Sequence, residues 1–141
     1  MDERIKRLLG FLTVDEPIVL LTPCNLKKEA WLKDIKAKEI RCTSSNCEKE
    51  EGCIKMHPEG LFLPFDKFDV WILNLEEFPY SPGYAFYSGY QALKDFGIIA
   101  IIRGVDEYLD SVALSYGFQI LYHGRWHYYL KAGKGKSLEI F

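Results

Sequence analysis

The chain has 141 residues, the length of one domain, and its hydrophobic content of 48% with 15% aromatic residues is enough for a packed core. A formal net charge of −2 gives no general attraction to nucleic acid or to acidic membranes. No apolar run has the length of a membrane span, and the mixed charges of the first residues do not fit a secretory signal. The sequence therefore predicts a cytoplasmic protein with a single domain over residues 1–141 and no membrane partner.

The first third of the chain predicts two helices and two strands. Apolar residues recur at helical spacing over Asp2–Leu12, which indicates an amphipathic packing helix. The continuous apolar run Ile18–Leu21 is typical of a parallel strand that is buried on both faces. Asn25 is a suitable N-cap for a second helix, which ends near Lys36. A short second strand is predicted at Glu39–Thr43.

The middle of the chain predicts a parallel pair of strands joined by a helix. Three apolar runs predict strands, at Cys53–Met56, Val70–Leu73 and Ile98–Ile102. Ser44–Gly52 is polar and predicts a loop. Tyr84–Phe96 predicts the helix, with Gly97 as the residue that ends it. Because a parallel crossover needs a dozen or more residues, a strand, helix and strand in this order are the economical interpretation.

The last part of the chain predicts a helix followed by a hairpin. The helix spans Gly104–Tyr116, and its buried face consists of Val105, Leu109, Val112, Ala113 and Tyr116. The hairpin turns around Gly124 and pairs Phe118–His123 with residues 125–130. Residues 132–141 are rich in glycine and lysine, so we expect them to form a flexible tail.

Aromatic and basic residues are interleaved in the second strand of this hairpin. Alternation sends Trp126, Tyr128 and Leu130 to one face, which we expect to join the core. His127, Tyr129 and Lys131 point to the other face. Such a surface can bind single-stranded nucleic acid by stacking and charge. A monomer and a homodimer formed through the hairpin both stay open.

Two stretches resemble the middle of class I S-adenosylmethionine-dependent methyltransferases. LPFDKFDVWILN, at residues 63–74, is similar to the family's Leu-Pro-Phe turn and Phe-Asp-Val strand. ALKDFGIIAII, at residues 92–102, is similar to the turn that leads into the next strand of the family. The resemblance covers Leu61 to Lys131. It implies an α/β fold of the Rossmann-like methyltransferase type, in which a mostly parallel sheet carries helices on both faces and a C-terminal antiparallel hairpin.

The resemblance also implies S-adenosylmethionine as cofactor, bound at the carboxyl ends of the first strands. The implied contacts come from Cys24 and Asn25 after the first strand, from Thr43 at the second, and from His57 near the adenine. The sequence departs from the family here. The glycine-rich turn that lets backbone approach the cofactor is absent, since no glycine lies between Phe11 and Glu51. No carboxylate ends the second strand to bind the ribose hydroxyls.

Acceptor contacts in this family come from the loop after the fourth strand, which implies Asn74, Glu76 and Tyr80 as catalytic candidates. A carboxylate there can accept a proton from a nucleophile, and the tyrosine can stack on a planar acceptor. The alternative is an acidic turn followed by aromatic residues that cover the core. Asp69 lies at the opposite end of its strand, so we expect a structural role for it. Arg103 ends the fifth strand on the ligand side, where it can hold an anionic group.

All four cysteines, Cys24, Cys42, Cys47 and Cys53, lie within 30 residues, but without the Cys-x2-Cys spacing of strong zinc or iron–sulfur motifs. Three interpretations stay open: separate thiols, a disulfide, for which Cys47 with Cys53 is the favoured pair, or a zinc or iron–sulfur site. Cys53 is expected near the opposite end of the sheet unless its loop folds back. A disulfide in a cytoplasmic protein, like the scarcity of glutamine, indicates a thermophilic source.

Two functions therefore stay open. The first is an S-adenosylmethionine-dependent methyltransferase with a divergent cofactor turn, acting on an acceptor that the sequence does not identify. The second is a non-catalytic relative that uses the fold for binding or assembly, with a metal held by the cysteines as one version. The missing glycine turn and ribose carboxylate favour the second, and the preserved second half of the chain favours the first. The sequence therefore predicts a methyltransferase-like protein, with the non-catalytic relative as the alternative.

Overall fold

The computed structural model describes residues 16–47 and 51–132. Within these ranges eight strands form one sheet in the order β4-β3-β2-β1-β5-β6-β8-β7. The strands are β1 (Ile18–Thr22), β2 (Glu39–Ser44), β3 (Cys53–His57), β4 (Gly60–Leu61), β5 (Phe68–Asn74), β6 (Leu93–Arg103), β7 (Phe118–His123) and β8 (His127–Lys131). The predicted helix over Asp2–Leu12 and nearly all of the predicted tail at 132–141 lie outside the described residues.

Parallel pairing joins the five strands from β3 to β6 in the sheet, whereas β4, β7 and β8 pair antiparallel with their neighbours. The C-terminal hairpin pairs with β6 through β8, with Ile98 opposite Leu130 and Ile101 opposite His127. The predicted α/β class, with a mostly parallel sheet and an antiparallel C-terminal hairpin, is confirmed.

Helical segments cover both faces of the sheet. Helices α1 (Pro82–Ala92) and α2 (Leu109–Ser115) pack on one face, against a core that includes Trp71 and Phe86. Two 3₁₀ helices, Cys24–Lys28 and Ala30–Asp34, lie on the other face. A third 3₁₀ helix, Leu75–Glu77, follows β5. None of the helices among the described residues is long and apolar enough to cross a membrane.

The central strands are apolar on both faces because both faces are covered. All seven residues of β5 are buried, from Phe68 to Asn74. Asp69 is the polar exception near its amino end, where the carboxylate accepts a hydrogen bond from the backbone amide of Ile18 at 2.8 Å. Its other oxygen lies 3.5 Å from the amino group of Lys94. The predicted structural role of Asp69 is confirmed, since these contacts join the starts of β1, β5 and β6.

The predicted end of the crossover helix at Gly97 is wrong. Helix α1 ends at Ala92, and Leu93 already pairs with Phe68 in the sheet. The last carbonyl groups of the helix accept hydrogen bonds from residues that precede β5: Lys67 N bonds to Ala92 O at 2.9 Å. These bonds connect distant parts of the chain, so a local pattern of helix-forming residues does not reveal them.

Two other predicted helices also differ from the structure. The segment after β1 forms two short 3₁₀ helices separated by Glu29 in an extended conformation, not one helix from Asn25 to Lys36. The helix after β6 begins only at Leu109, so the predicted buried face is wrong at Val105 and Tyr116, which are exposed. Leu109 and Ala113 are buried as predicted.

Two of the three residues on the interleaved face of the hairpin are buried, contrary to the expectation of an open surface. Tyr129 and Lys131 have no exposed area, because β8 is an inner strand between β6 and β7. The amino group of Lys131 donates a hydrogen bond to the carbonyl of Leu93 at 2.6 Å. It also lies 3.6 Å from a carboxylate oxygen of Asp66 and 4.7 Å from the ring centroid of Tyr90.

We expect Lys131→Ala to lower the free energy of unfolding by about 1–3 kcal/mol, the usual effect of leaving a buried polar group without its partner. Removing the side chain leaves the Leu93 carbonyl without this donor. Urea denaturation followed by circular dichroism measures the change. Lys67→Ala is the matched control, because Lys67 makes an exposed ion pair with Glu39 at 3.0 Å, which is worth at most about 1 kcal/mol. Equal losses in the two variants would contradict the prediction.

Candidate functional site

The ends of four parallel strands bring the predicted site residues to one edge of the sheet. Cys24 lies two residues after the end of β1, Thr43 is the next-to-last residue of β2, His57 ends β3 and Asn74 ends β5. In open α/β sheets, ligands bind at this carboxyl edge. The burial and hydrogen bonds of each residue decide whether it can meet a ligand there.

Threonines at the ends of β1 and β2 are sealed inside the core. The hydroxyl of Thr43 donates a hydrogen bond to Thr22 Oγ1 at 2.9 Å, and Trp71 Nε1 donates to the same oxygen at 2.8 Å. All three residues have no exposed area. The hydroxyl of Thr43, a predicted cofactor contact, is therefore used within the protein.

The cysteines form two disulfides, Cys24–Cys42 and Cys47–Cys53. The favoured pairing of Cys47 with Cys53 is thus present. The expected separation of Cys53 from the other cysteines is wrong, because Cys53 pairs with Cys42 in the β2–β3 register and its sulfur lies 3.5 Å from that of Cys24. The sulfurs of Cys24, Cys42 and Cys53 lie within 4.8 Å of one another. Metal binding by all four cysteines stays a prediction for the reduced protein.

Two predicted cofactor contacts, Asn25 and His57, are exposed at this edge. The backbone carbonyl of His57 accepts a hydrogen bond from the hydroxyl of Tyr80, which connects the end of β3 to the loop after β5. Tyr80 also packs its ring 4.8 Å from that of Tyr84. Burial, together with Tyr84 and Glu59, raises the pKa of Tyr80, so its hydroxyl is a proton donor at neutral pH.

The other two catalytic candidates differ in accessibility. Asn74 is only 2% exposed, and its side chain caps the following 3₁₀ helix: the oxygen accepts from Glu76 N at 3.0 Å. Its amide nitrogen donates to Glu77 Oε2, also at 3.0 Å. Glu76 is exposed. The structure therefore gives Asn74 and Tyr80 structural contacts and leaves the Glu76 carboxylate facing solvent.

A cleft of about 400 Å³ lies on the face that carries the two 3₁₀ helices. Its lining residues combine aromatic rings and charges: Glu29, Trp31, Ile102, Arg103, Arg125, Trp126 and Tyr128. Trp31 and Trp126 meet edge to face at 4.9 Å between ring centroids, and Arg103 lies 3.9 Å from Glu29. None of the predicted cofactor or catalytic residues lines this cleft.

A second polar cluster lies at the tip of the hairpin, and sequence reasoning missed it. His123 and His127 are partners across β7 and β8, with their rings stacked at 4.1 Å. Asp110, on α2, accepts hydrogen bonds from His123 Nε2 at 2.9 Å and from the Tyr129 hydroxyl at 2.7 Å. The signal in the sequence was a histidine on each side of the predicted turn, at positions that a tight hairpin places opposite each other.

Burial shapes the ionisation of this cluster. Burial and the neighbouring His123 lower the pKa of His127, against an opposing effect of Asp110, so His127 is neutral at pH 7. Burial and the hydrogen bond to Asp110 raise the pKa of Tyr129, which remains a protonated donor. The cluster therefore offers a neutral imidazole and a carboxylate oriented by a tyrosine hydroxyl.

No protein-family model and no curated protein matches the chain. Solved structures do match. A S-adenosylmethionine-dependent methyltransferase from Methanosarcina mazei has 10% identity over 95% of this chain and 99% of its own, with a TM-score of 0.66. A 1,6-didemethyltoxoflavin-N1-methyltransferase from Burkholderia thailandensis, solved with S-adenosylhomocysteine, has 10% identity over 92% of this chain and 77% of its own, with a TM-score of 0.62.

A third solved structure, a S-adenosylmethionine-dependent methyltransferase from Mesorhizobium loti, has 13% identity over 77% of each chain and a TM-score of 0.57. Identities this low establish a shared fold. They confirm the resemblance found in LPFDKFDVWILN and ALKDFGIIAII at that level. The part of the chain that the structure describes has the fold of the class I S-adenosylmethionine-dependent methyltransferases.

Proposed function

We propose that this chain is a non-catalytic protein of the methyltransferase fold, which uses the fold for binding and not for methyl transfer. The observation that supports the proposal is that the carboxyl ends of β1 and β2 are closed to solvent; we call this the closed edge at β1 and β2. The Cys24–Cys42 disulfide ties the turn after β1 to β2, and Thr22 and Thr43 at the ends of these strands have no exposed area. The strand ends that hold the cofactor in other proteins of this fold are here part of the core.

The residues present do not fit S-adenosylmethionine in the usual way. Close approach of backbone to the cofactor favours glycine, and Pro23, Cys24 and Asn25 each place a Cβ in the turn. Ser44 ends β2 where a carboxylate would bind the ribose hydroxyls. The hydroxyl of Thr43 already donates to Thr22. We therefore derive no reaction through this cofactor.

An exposed aromatic surface supports a binding role. Phe62 and Phe65 are 73% and 72% exposed, and Tyr87 on α1 is 50% exposed. They lie around a cleft of about 380 Å³ between residues 61–65 and α1. Contiguous exposed apolar surface on a folded domain is typical of an interaction site.

The second candidate is an S-adenosylmethionine-dependent methyltransferase with unconventional cofactor contacts. The observation that favours it is the exposure of Asn25, His57 and Glu76 at the edge where relatives of this fold bind ligands. In that case the first two residues contact the cofactor, Glu76 accepts a proton from the acceptor, and Tyr80 positions it. The acceptor is unidentified in this proposal.

Calorimetric titration with S-adenosylmethionine and S-adenosylhomocysteine separates the two candidates. We expect no heat and no thermal shift at ligand concentrations up to about 1 mM, which corresponds to binding weaker than about −4 kcal/mol. A dissociation constant near 1 µM, about −8 kcal/mol, would establish the second candidate and overturn the first.

The titration is repeated on a Cys24→Ala–Cys42→Ala variant, with a Cys47→Ala–Cys53→Ala variant as the control. Removing the first disulfide frees the turn after β1 but leaves Thr22 and Thr43 buried, so we expect neither variant to bind. Binding by the first variant alone would show that the disulfide closes a functional cofactor site.

Two disulfides in a protein predicted to be cytoplasmic also support a thermophilic source.

A further inference from the structure

Three side chains from separate elements converge at the tip of the hairpin, on the face of the sheet that carries α2. Asp110 comes from α2, His123 ends β7 and His127 begins β8. One potential ligand atom from each residue lies within 4.8 Å of those of the other two. Two imidazoles and a carboxylate are a common ligand set for zinc and other first-row transition metals in proteins.

We propose that Asp110, His123 and His127 bind one divalent transition-metal ion, with zinc as the expected occupant. This site is separate from the cysteines and from the carboxyl edge of β1 and β2, and it is independent of whether the chain binds S-adenosylmethionine. Three protein ligands leave a fourth position open for water or a small ligand, as in zinc sites that interact with exogenous molecules.

The hydrogen bond between Asp110 and His123 does not by itself account for the cluster. It leaves Nδ1 of His127 buried and without a hydrogen-bond partner among the described residues. A buried polar atom in this state is destabilising, and native structures usually give such atoms a partner, an ordered water or an ion. The two imidazole rings also lie side by side, with their centroids 4.1 Å apart, so both are available within one small cluster. A cation bound by the cluster would give Nδ1 of His127 the partner that it lacks.

The surroundings of the cluster have two further properties of a metal site. The hydroxyl of Tyr129, which is fully buried, donates to Asp110 Oδ1 at 2.7 Å and thereby fixes the carboxylate. Outer-shell hydrogen bonds of this kind orient metal ligands. The side chains of His123 and Asp110 are 39% and 34% exposed, so an ion can enter from solvent without unfolding the hairpin.

Equilibrium dialysis of the metal-free, oxidised protein against Zn²⁺, followed by metal analysis, tests the proposal. We expect one equivalent of zinc per chain, with a dissociation constant on the order of 1 µM or lower. His123→Ala and His127→Ala should each weaken binding by more than about tenfold, the smallest loss that even an outer-shell change produces. His57→Ala is the control, because His57 is the third histidine of the chain and lies at the end of β3.

The Tyr129→Phe variant tests whether Tyr129 supports metal binding by orienting Asp110 or only by stabilising the fold. It removes the hydrogen bond to Asp110 and keeps the buried ring, so we expect affinity to fall about tenfold while the stoichiometry stays at one. His123→Gln and His127→Gln, which keep a polar side chain, should lose zinc as the alanine variants do. Circular dichroism establishes that each variant is folded, and only folded variants are compared.

Cobalt(II) identifies the ligands directly. We expect visible absorption without the near-ultraviolet charge-transfer band of a thiolate ligand, because all four cysteines are in disulfides. A thiolate band would assign the ion to the cysteines and overturn the proposal. So would zinc binding that His123→Ala and His127→Ala leave unchanged, or no uptake of zinc at concentrations on the order of 100 µM.

Discussion

Trp71→Ala is expected to lower the free energy of unfolding by about 3–5 kcal/mol, the usual cost of emptying a buried aromatic site. Trp71 lies at the centre of β5 and has no exposed area. Its ring packs against Phe78 at 6.2 Å between centroids, and it approaches Gly89 of α1 so closely that a Cβ there would lie 3.3 Å from it. Since a domain of this size is stable by about 5–15 kcal/mol, this one change removes much of its stability.

Trp71→Phe is the matched variant, because it keeps an aromatic ring and removes the hydrogen bond from Nε1 to Thr22. We expect a loss of about 0.5–1.5 kcal/mol for the missing hydrogen bond, plus a smaller packing loss, since Thr22 still accepts from Thr43. Urea denaturation of both variants, followed by circular dichroism, gives the comparison. If Trp71→Ala unfolds at the same urea concentration as Trp71→Phe, the central position assigned to this ring is wrong.

The strands were predictable because a strand that is buried on both faces appears in the sequence as a continuous apolar run. Ile18–Leu21, Val70–Leu73 and Ile98–Ile102 are continuous apolar runs, and each forms the centre of an inner strand. The mostly parallel sheet and its antiparallel C-terminal hairpin followed from the family resemblance, which covers Leu61 to Lys131. In the sheet, the local sequence pattern and the overall fold favour the same structure, so the sheet was the most predictable part.

The ends of helices were less predictable, because long-range contacts set them. Gly97 is a typical helix stop, yet the chain leaves α1 at Ala92, where hydrogen bonds from Asp66 and Lys67 take the last carbonyls. Phe96 then adopts a left-handed conformation with φ of 66°, which a local pattern assigns to glycine and not to phenylalanine. The partners in these contacts lie about 25 residues upstream in the sequence, beyond the reach of helix propensity.

The candidate sites, like the secondary structure, could be predicted from the sequence only in part. The predicted cofactor residues do lie together at the ends of β1, β2 and β3, since parallel strands end at a common edge. Which side chains face solvent there was not predictable: Thr43 has no exposed area, and Cys42 is held in a disulfide. The cluster of Asp110, His123 and His127 depends on how α2 packs beside the hairpin, and no single stretch of sequence contains that information.

Removal of the Cys24–Cys42 disulfide is expected to lower the free energy of unfolding by about 3 kcal/mol, from the chain entropy of closing a loop of this length. The two cysteines are 18 residues apart, and their disulfide joins the turn after β1 to β2. Both must be replaced together by alanine. After a single replacement, the remaining thiol stays close to the second disulfide, since the sulfurs of Cys24 and Cys53 are 3.5 Å apart, and exchange would restore a cross-link.

Two comparisons distinguish the stability lost with the cross-link from the stability lost with the cysteine side chains. Cys47→Ala–Cys53→Ala opens a loop with a sequence separation of only 6, so the same relation gives a smaller loss of about 2 kcal/mol. Adding a reductant to the unmodified protein should reproduce the two losses together, because it opens both disulfides without removing any atom from the core. Urea midpoints that stay unchanged on reduction would mean that the cross-links contribute nothing to stability. In that case the closed edge at β1 and β2 would be maintained by the Thr22–Thr43–Trp71 hydrogen bonds and by packing alone.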